Sequence, residues 1–377
     1  MRIVQLANLS DPRSGGIRTV VDEVGRRYGA AGHERILVVP GGRDDDEHTI
    51  GGRQITLRSP LLPFDRGYRV PLSGRRLLPL LDGLCPDVLE VSDRFLLTRV
   101  SDWARVRGIP VLLFAPERLS ARLDPGPARV LLAEAADAVD QRLLDRADRV
   151  AVGSEFAATE FRRLGSDPAV VRLGVDLRAF VPSRTPRPAA GRTVQLALIS
   201  RLSAERRPEL AFAALRVLRT RGVPAALLVL GDGPMRQRLE RAAAGLPVRF
   251  LGHVADRRCL PHLIGSADVT IAPAPRETLG LAVLESLACG TPVVAPATGA
   301  ARELISPGSG VVTSGTAFGL ATGVESLLAL PAGHRRAVAR AQAEQFPWSA
   351  TVAAMLAVHR ADDAAVRPAV HPLSLGW

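Results

Sequence analysis

Lysine is absent from this chain: all 49 basic residues are arginine. A composition rich in Ala, Arg, Gly and Pro and free of Lys is what a GC-rich coding sequence produces, so the absence assigns no chemistry by itself. Cysteine is scarce. Cys85, Cys259 and Cys289 are odd in number and widely spaced, which excludes a disulfide framework and a metal-ligand pattern and fits a reducing cytoplasm. Aromatic residues make up 4% of the chain, and no zinc-ligand or helix-turn-helix pattern accompanies the net charge of +11, so nucleic-acid binding lacks support. That charge still favours anionic partners such as phosphates or acidic lipid headgroups. No apolar run approaches the ~20 residues that span a bilayer. The opening MRIVQLANLS reads as a first strand rather than a signal peptide.

What is present is the pattern of a soluble globular protein of 377 residues, 47% hydrophobic and 23% charged, long enough for two cores. A strand (IVQLAN), a small-residue turn at Ser14-Gly15-Gly16 and an amphipathic helix from Ile17 to Ala31 open the chain. A strand at Arg35 to Val39 follows, and residues 41–80 look irregular. Strands at 87–91, 110–114 and 149–154 then alternate with helices at 95–107 and 126–147. The Pro- and Arg-rich stretch 176–192 reads as a linker. Beyond it the alternation restarts, with strands at 193–200, 225–230, 248–252, 268–272 and 291–295 and helices between them. Two successive open α/β domains follow from this pattern. After Gly333 come two helical segments split at Phe346-Pro347, the second placed to cross back onto the first domain.

Ligands of open α/β sheets lie beyond the carboxyl ends of the strands, and three sites fit that rule. In DVTIAPAPRETLGLAVLESLACGTPVVAP (268–296), Glu277 and Glu285 flank a loop-to-helix junction, spaced for a ligand with a diphosphate between sugar and ribose. The amides near Thr278, Leu279 and Gly280, at the expected helix start, are available to phosphate. In ISRLSAERR (199–207), Arg201 and Arg206 suit a diphosphate. The Gly15-Gly16 turn can hold an anionic group or pass close to a sugar. Taken singly, these are a solvated Glu pair, surface arginines and an ordinary turn, and GDG at Gly231 to Gly233 is a strand-end turn. Their joint placement at strand ends is what points to a nucleotide-sugar site.

Seven segments in family order resemble the GT-B-fold retaining glycosyltransferases of family 4, in particular the actinobacterial GDP-mannose-dependent α-mannosyltransferases of glycolipids. They are SGGIRTVVDEVGRRYGAAGHE, CPDVLEVSDR, VRLGVDLRAF, SRLSAERRPELA, LLVLGDGPMRQRLE, VRFLGHVADR and APAPRETLGLAVLESLACGTPVV, within a likeness running from Arg2 to about Arg360. The resemblance implies an acceptor-side Rossmann-like domain at 1–180, a donor domain at 181–345, a crossover helix at 346–362 and a flexible tail at 363–377. It implies that Glu277 holds the donor sugar, Glu285 the ribose, and Arg201 and Arg206 the diphosphate, with Gly16 beside the phosphate–sugar junction. The backbone near Val254, with Asp256, would meet the nucleobase. No metal or cofactor beyond the nucleotide sugar is implied, GDP-mannose being favoured, and the acceptor is a glycolipid or another small molecule.

Two departures stand out. Arg206 replaces the family's usual Lys. In VLLFAPERLSARL the family reads His-Glu-Arg-Leu where this chain has Pro116, Glu117 and Arg118, and the Pro116 side chain can neither donate nor accept. A donor-binding protein with weak or lost transfer, or an epimerase on the same fold, are the alternative readings. The stretch 58–80 reads as a surface loop with a helix, or as a membrane-facing patch with Arg75 and Arg76 at headgroups and Leu77 and Leu78 at the interface. The expected location is cytoplasmic, with peripheral contact to the inner membrane face.

Overall fold

The computed structural model describes residues 1–8, 15–62, 65–70, 72–92, 94–115, 129–183 and 193–361. The linker residues 184–192 and the tail 363–377 lie outside that set. The first sheet contains β1 (Arg2–Leu6), β2 (Glu34–Gly41), β3 (Asp45–Thr49) and β4 (Gly52–Arg58). A hairpin of β5 (Leu61–Leu62) and β6 (Asp65–Arg69) stands apart from it. The sheet is completed by β7 (Val88–Val91), β8 (Val111–Phe114), β9 (Arg149–Val152) and β10 (Ala169–Val170). Its order is β10-β9-β8-β7-β1-β2-β4-β3, parallel throughout except for the β3–β4 pair. The second sheet is built from β11 (Val194–Ile199), β12 (Ala225–Leu230), β13 (Val248–Gly252), β14 (Val269–Ile271), β15 (Val293–Pro296) and β16 (Gly310–Thr313). Its order, β13-β12-β11-β14-β15-β16, is all parallel.

Both sheets reverse their strand order once, between β1 and β7 and between β11 and β14. Such a reversal opens a crevice at the carboxyl ends of the strands, because the connections on either side leave in opposite directions. The loops after β1, β11 and β14 are those carrying Gly16, Arg206 and Glu277, so topology alone brings the three sequence sites to crevice mouths. Central strands such as β15, VVAP, are buried along their whole length and read as apolar runs for that reason.

The region 41–80 is more regular than expected. Strand β3 is DDEHT, polar and largely exposed at the sheet edge, so it lacks the alternation that marks a half-buried strand. Helix Gly74–Leu84 buries Leu77, Leu81 and Leu84 in the first core, and Leu78 packs against the same cluster. Arg76 donates to both carboxylate oxygens of Asp44 at 2.8 Å, while Arg75 is exposed. The membrane-patch reading is thereby corrected: its leucines are core residues. No helix among the described residues is long and apolar enough to cross a membrane.

The chain crosses between the sheets twice, and the crossings are tied together. Val175 N–H donates to the Phe346 carbonyl at 2.9 Å. A Cβ on Gly174 would lie 2.4 Å from the Trp348 nitrogen, so only glycine permits this approach. Arg340 donates to the carbonyls of Leu177, Phe180 and Ala288, fixing the first crossing to the second domain. Helix Trp348–Arg360 then packs on helix Gly15–Ala30 and places Trp348, Val352, Met355 and Leu356 in the first domain's core.

That helix is anchored by a buried carboxylate. Gln5 and Glu90 are register partners on β1 and β7, and Gln5 donates to Glu90 at 2.5 Å. Tyr28 donates at 2.5 Å and His359 Nε2 lies 2.6 Å away on the same carboxylate. Arg35 donates to Gln5 at 2.7 Å, and burial lowers its pKa to about 10. Burial by itself pushes the Glu90 carboxyl up; the bonds from His359, Tyr28 and Gln5 outweigh that and hold it below the usual carboxylate range. A depressed folded-state pKa contributes stability above the unfolded value, lost as pH falls through the folded value. His359→Ala leaves the Glu90 charge without this partner and should cost roughly 3–5 kcal/mol in urea unfolding at neutral pH, with the difference shrinking on acidification. An unchanged unfolding midpoint would show that the network does not hold the crossover helix.

Candidate active site

One loop of the second domain runs from the end of β14 to helix Leu281–Ala288. The helix begins later than the sequence reading placed it, because Gly280 adopts φ +67, and a Cβ there would lie 2.3 Å from Leu304 Cδ1. Glu277 therefore sits in the loop, four residues before the helix. Its Oε1 accepts the amides of Thr278 (3.1 Å), Leu279 (3.2 Å) and Gly280 (3.1 Å), and its Oε2 accepts Arg206 Nη1 at 2.6 Å. The expectation of free amides for a phosphate is overturned: the loop's own carboxylate occupies them. Burial pushes the Glu277 carboxyl up, but Arg206 and the amides outweigh it and leave the group below the usual range. What results is an anion fixed by four hydrogen bonds.

Gly299, at φ +85, backs this loop: a Cβ there would lie 2.9 Å from the Glu277 nitrogen. Ala300 N–H donates to the Glu277 carbonyl at 2.7 Å. Arg206 ends a 3-10 turn, Ala204–Arg206, that leads into helix Glu209–Thr220, and Arg207 turns the chain in the left-handed region at φ +50. Arg201 is exposed at the mouth of β11. Gly231 lets the end of β12 approach this loop, since a Cβ would lie 1.9 Å from the Ser200 oxygen.

Glu285, within the helix, is buried, with Arg257 Nη2 on its Oε1. Burial raises its pKa, and Arg257 offsets this only in part. A cavity of 260 Å³ opens beside it, lined by Glu23, Asp176, Phe180, Arg257, Glu285 and Trp348 among others. The cavity lies between the domains at the crossing point. Val254 is half-buried against the second core. Asp256 caps its own turn by accepting Arg258 N–H at 3.0 Å and pairs with the Arg258 side chain, which holds its pKa low.

The first domain closes over this loop. A Cβ on Gly16, in the first turn after Gly15, would stand 3.8 Å from Leu281 Cδ1, and one on Gly153 would stand 2.9 Å from Leu279 Cδ2. Glu303 accepts the amides of Glu155 (2.9 Å) and Phe156 (2.7 Å) at the start of helix Glu155–Arg162, bridging the domains. The structure thus gathers Gly16, Arg206, Glu277, Thr278, Leu279 and Gly280 on one side of the cleft floor, with Glu285 at the other. Arg257, Glu303 and Gly299 belong to the same site and were not singled out in the sequence. Pro116, Glu117 and Arg118 lie outside the described residues.

Residues 15–174 match the glycosyl transferase 4-like domain, and residues 184–345 match the glycosyl transferases group 1 family. A GDP-mannose-dependent α-(1-6)-phosphatidylinositol dimannoside mannosyltransferase of Mycobacterium tuberculosis is 41% identical over 365 residues, 95% of each chain. This chain belongs to the family 4 glycosyltransferases. Among solved structures, sucrose-phosphate synthase of Thermosynechococcus elongatus superposes with a TM-score of 0.78 at 21% identity, covering 96% of this chain and 98% of that one. Anabaena HepE in complex with UDP gives 0.74 at 17% identity, covering 95% and 99%. These two likenesses are of the GT-B fold. The glycosyltransferase is an enzyme that moves a hexosyl group from a nucleotide-diphosphate sugar to a hydroxyl acceptor.

In this glycosyltransferase the donor loop depends on glycine at two contacts that admit no side chain. Gly280→Ala should lower the thermal unfolding midpoint of the second domain, through left-handed backbone strain of about 1–3 kcal/mol plus the clash with Leu304. An alanine variant with wild-type stability would show that the loop has another conformation available.

Proposed function

We propose that this glycosyltransferase transfers mannose from GDP-mannose, with retention, to a hydroxyl of a phosphatidylinositol mannoside-type glycolipid. The observation that carries the reading is the fixed Glu277–Arg206 pair on one side of the cleft floor with Glu285 beside a cavity at the other. Glycosyl transfer builds positive charge at the anomeric carbon and negative charge on the departing phosphate, and a site must hold both. Glu277, kept ionised by its amides and Arg206, accepts the mannose hydroxyls and lies where the sugar gains positive charge. Arg206 and Arg201 take the diphosphate, Arg206 sharing its charge between Glu277 and the leaving group. Gly16 leaves the phosphate–sugar junction room that a side chain would fill. Glu285 takes the ribose hydroxyls, the nucleoside fills the cavity beside it, and Val254 meets the base through its backbone.

The first 180 residues supply the acceptor side and residues 181–345 the donor side, with the crossover helix joining them. Pro116 stands where the family has His, so acceptance of the acceptor's proton falls to Glu117 or the departing phosphate, with Arg118 supplying charge only. Attraction to an acidic membrane face rests on the net charge of +11 and not on Leu77 and Leu78, which pack in the first core. The M. tuberculosis relative, a GDP-mannose-dependent phosphatidylinositol dimannoside mannosyltransferase, supports the donor and the acceptor class.

Calorimetric titration should show GDP-mannose binding more tightly than UDP-glucose or UDP-N-acetylglucosamine. Arg206→Ala should lower kcat on the order of 100-fold, as expected when one preorganised donor to a developing anion is lost, while retaining most donor affinity. Failure to bind any of the three donors would overturn the reading, and preferential binding of a uridine donor would overturn the choice of GDP-mannose.

A further inference from the structure

Arg257 has no role in the reading above, yet it makes the only side-chain hydrogen bond to Glu285 among the described residues. Its guanidinium is held from a second side, with its carbon 6.0 Å from the centroid of the Phe180 ring. Phe180 is itself fixed, because its carbonyl accepts Arg340 at 2.7 Å. Asp256 sets the start of the turn that carries Arg257, accepting Arg258 N–H at 3.0 Å. Arg257 therefore has a built position, on the wall of the 260 Å³ cavity that Glu285 also lines.

We propose that Arg257 is a positioning residue for nucleotide binding: it orients the Glu285 carboxylate and holds it as the anion that receives the ribose hydroxyls. The inference rests on the assignment of Glu285 to the ribose. A hydrogen bond to an ionised acceptor is roughly twice as strong as one to a neutral group, so the charge state of Glu285 sets how well it grips a diol. Burial works against that charge, and Arg257 is the neighbouring cation that opposes burial. The other charged or titratable groups near Glu285 do not replace it. Arg336 and Arg340, on the adjoining helix Ala332–Ala343, donate to backbone carbonyls. Cys289 is a buried thiol pushed up to about 12, by burial first and then by Glu285. Glu23 and Asp176, across the cavity, are themselves acidic, and Arg258 pairs with Asp256.

The test is calorimetric titration of the full-length protein with GDP between pH 5 and 8, on wild type, Arg257→Met, Arg257→Lys and Glu285→Gln. Wild-type affinity should fall as acid protonates Glu285. Arg257→Met should weaken GDP binding by roughly tenfold near neutrality, the loss expected for one charge-assisted bond, and should move the acid fall to higher pH. Arg257→Lys should restore most of the affinity and return the profile toward wild type. A purely structural role for Arg257 would lower affinity without displacing the pH profile, and that result overturns the proposal. So does Arg257→Met binding GDP as tightly as wild type, or more tightly, while Glu285→Gln binds weakly. Absence of GDP binding by wild type, or full binding by Glu285→Gln, overturns the ribose assignment and this inference with it.

Discussion

A carboxylate taken out of water must be compensated, and at Glu277 that requirement shapes the second domain's side of the cleft. Leaving such a charge unpartnered would cost several kcal/mol, and here three amides and Arg206 supply the partners. Those partners impose their own conditions. The chain must turn sharply enough to point three consecutive N–H groups at one oxygen, which places Gly280 in the left-handed region and delays the helix to Leu281. The neighbouring segment must pass within touching distance of the Glu277 backbone, which requires glycine at position 299. The arginine must come from the first loop of the same sheet, adjacent because β11 and β14 are paired.

The same problem is solved twice more with different partners. Glu285 leans on one arginine and remains raised by burial, so its charge is the least secure of the three. Glu90 is held by an imidazole, a phenol and an amide, and its role is architectural: it binds the crossover helix to the first domain. Glu303 adds a carboxylate across the cleft, capping a helix of the opposite domain. Together with the paired crossings at Val175 and Pro347, this fixes how the Gly16 turn faces Leu281. The site is thus a consequence of two sheets that each reverse strand order once, joined at two tied points, closing on a single preformed loop.

Much of this was legible in the sequence because buried parallel strands are apolar from end to end. AALLVL, buried at all but one position, coincides with β12. Strands that deviate from that rule were missed. Asp45–Thr49 is polar because it lies on an exposed edge, and Gly310–Thr313 mixes buried with exposed positions. At the site, the residue types of Gly16, Arg206, Glu277 and Glu285 and their place in the segments after β1, β11 and β14 were readable, and their partners were not. An acidic residue just ahead of a helix is a capping signal, so the occupation of the Thr278 to Gly280 amides had a trace in the sequence. The pairing of Arg257 with Glu285 had none, because the two lie 28 positions apart, with a helix and a strand between them that only the fold brings together. Leu77 and Leu78 show the converse: in a short helix beside arginines, core leucines and membrane-facing leucines look alike until the helix is docked.

The central claim is that one preformed carboxylate–arginine pair receives the sugar while a second carboxylate receives the ribose. A crystal structure of the protein with GDP-mannose tests it directly. The account predicts mannose hydroxyls within hydrogen-bonding distance of Glu277, with its amide contacts retained. It also predicts the ribose hydroxyls on Glu285 and the diphosphate against Arg206. A donor bound with its ribose away from Glu285, or with Glu277 displaced from the Thr278 to Gly280 amides by a phosphate, would contradict it.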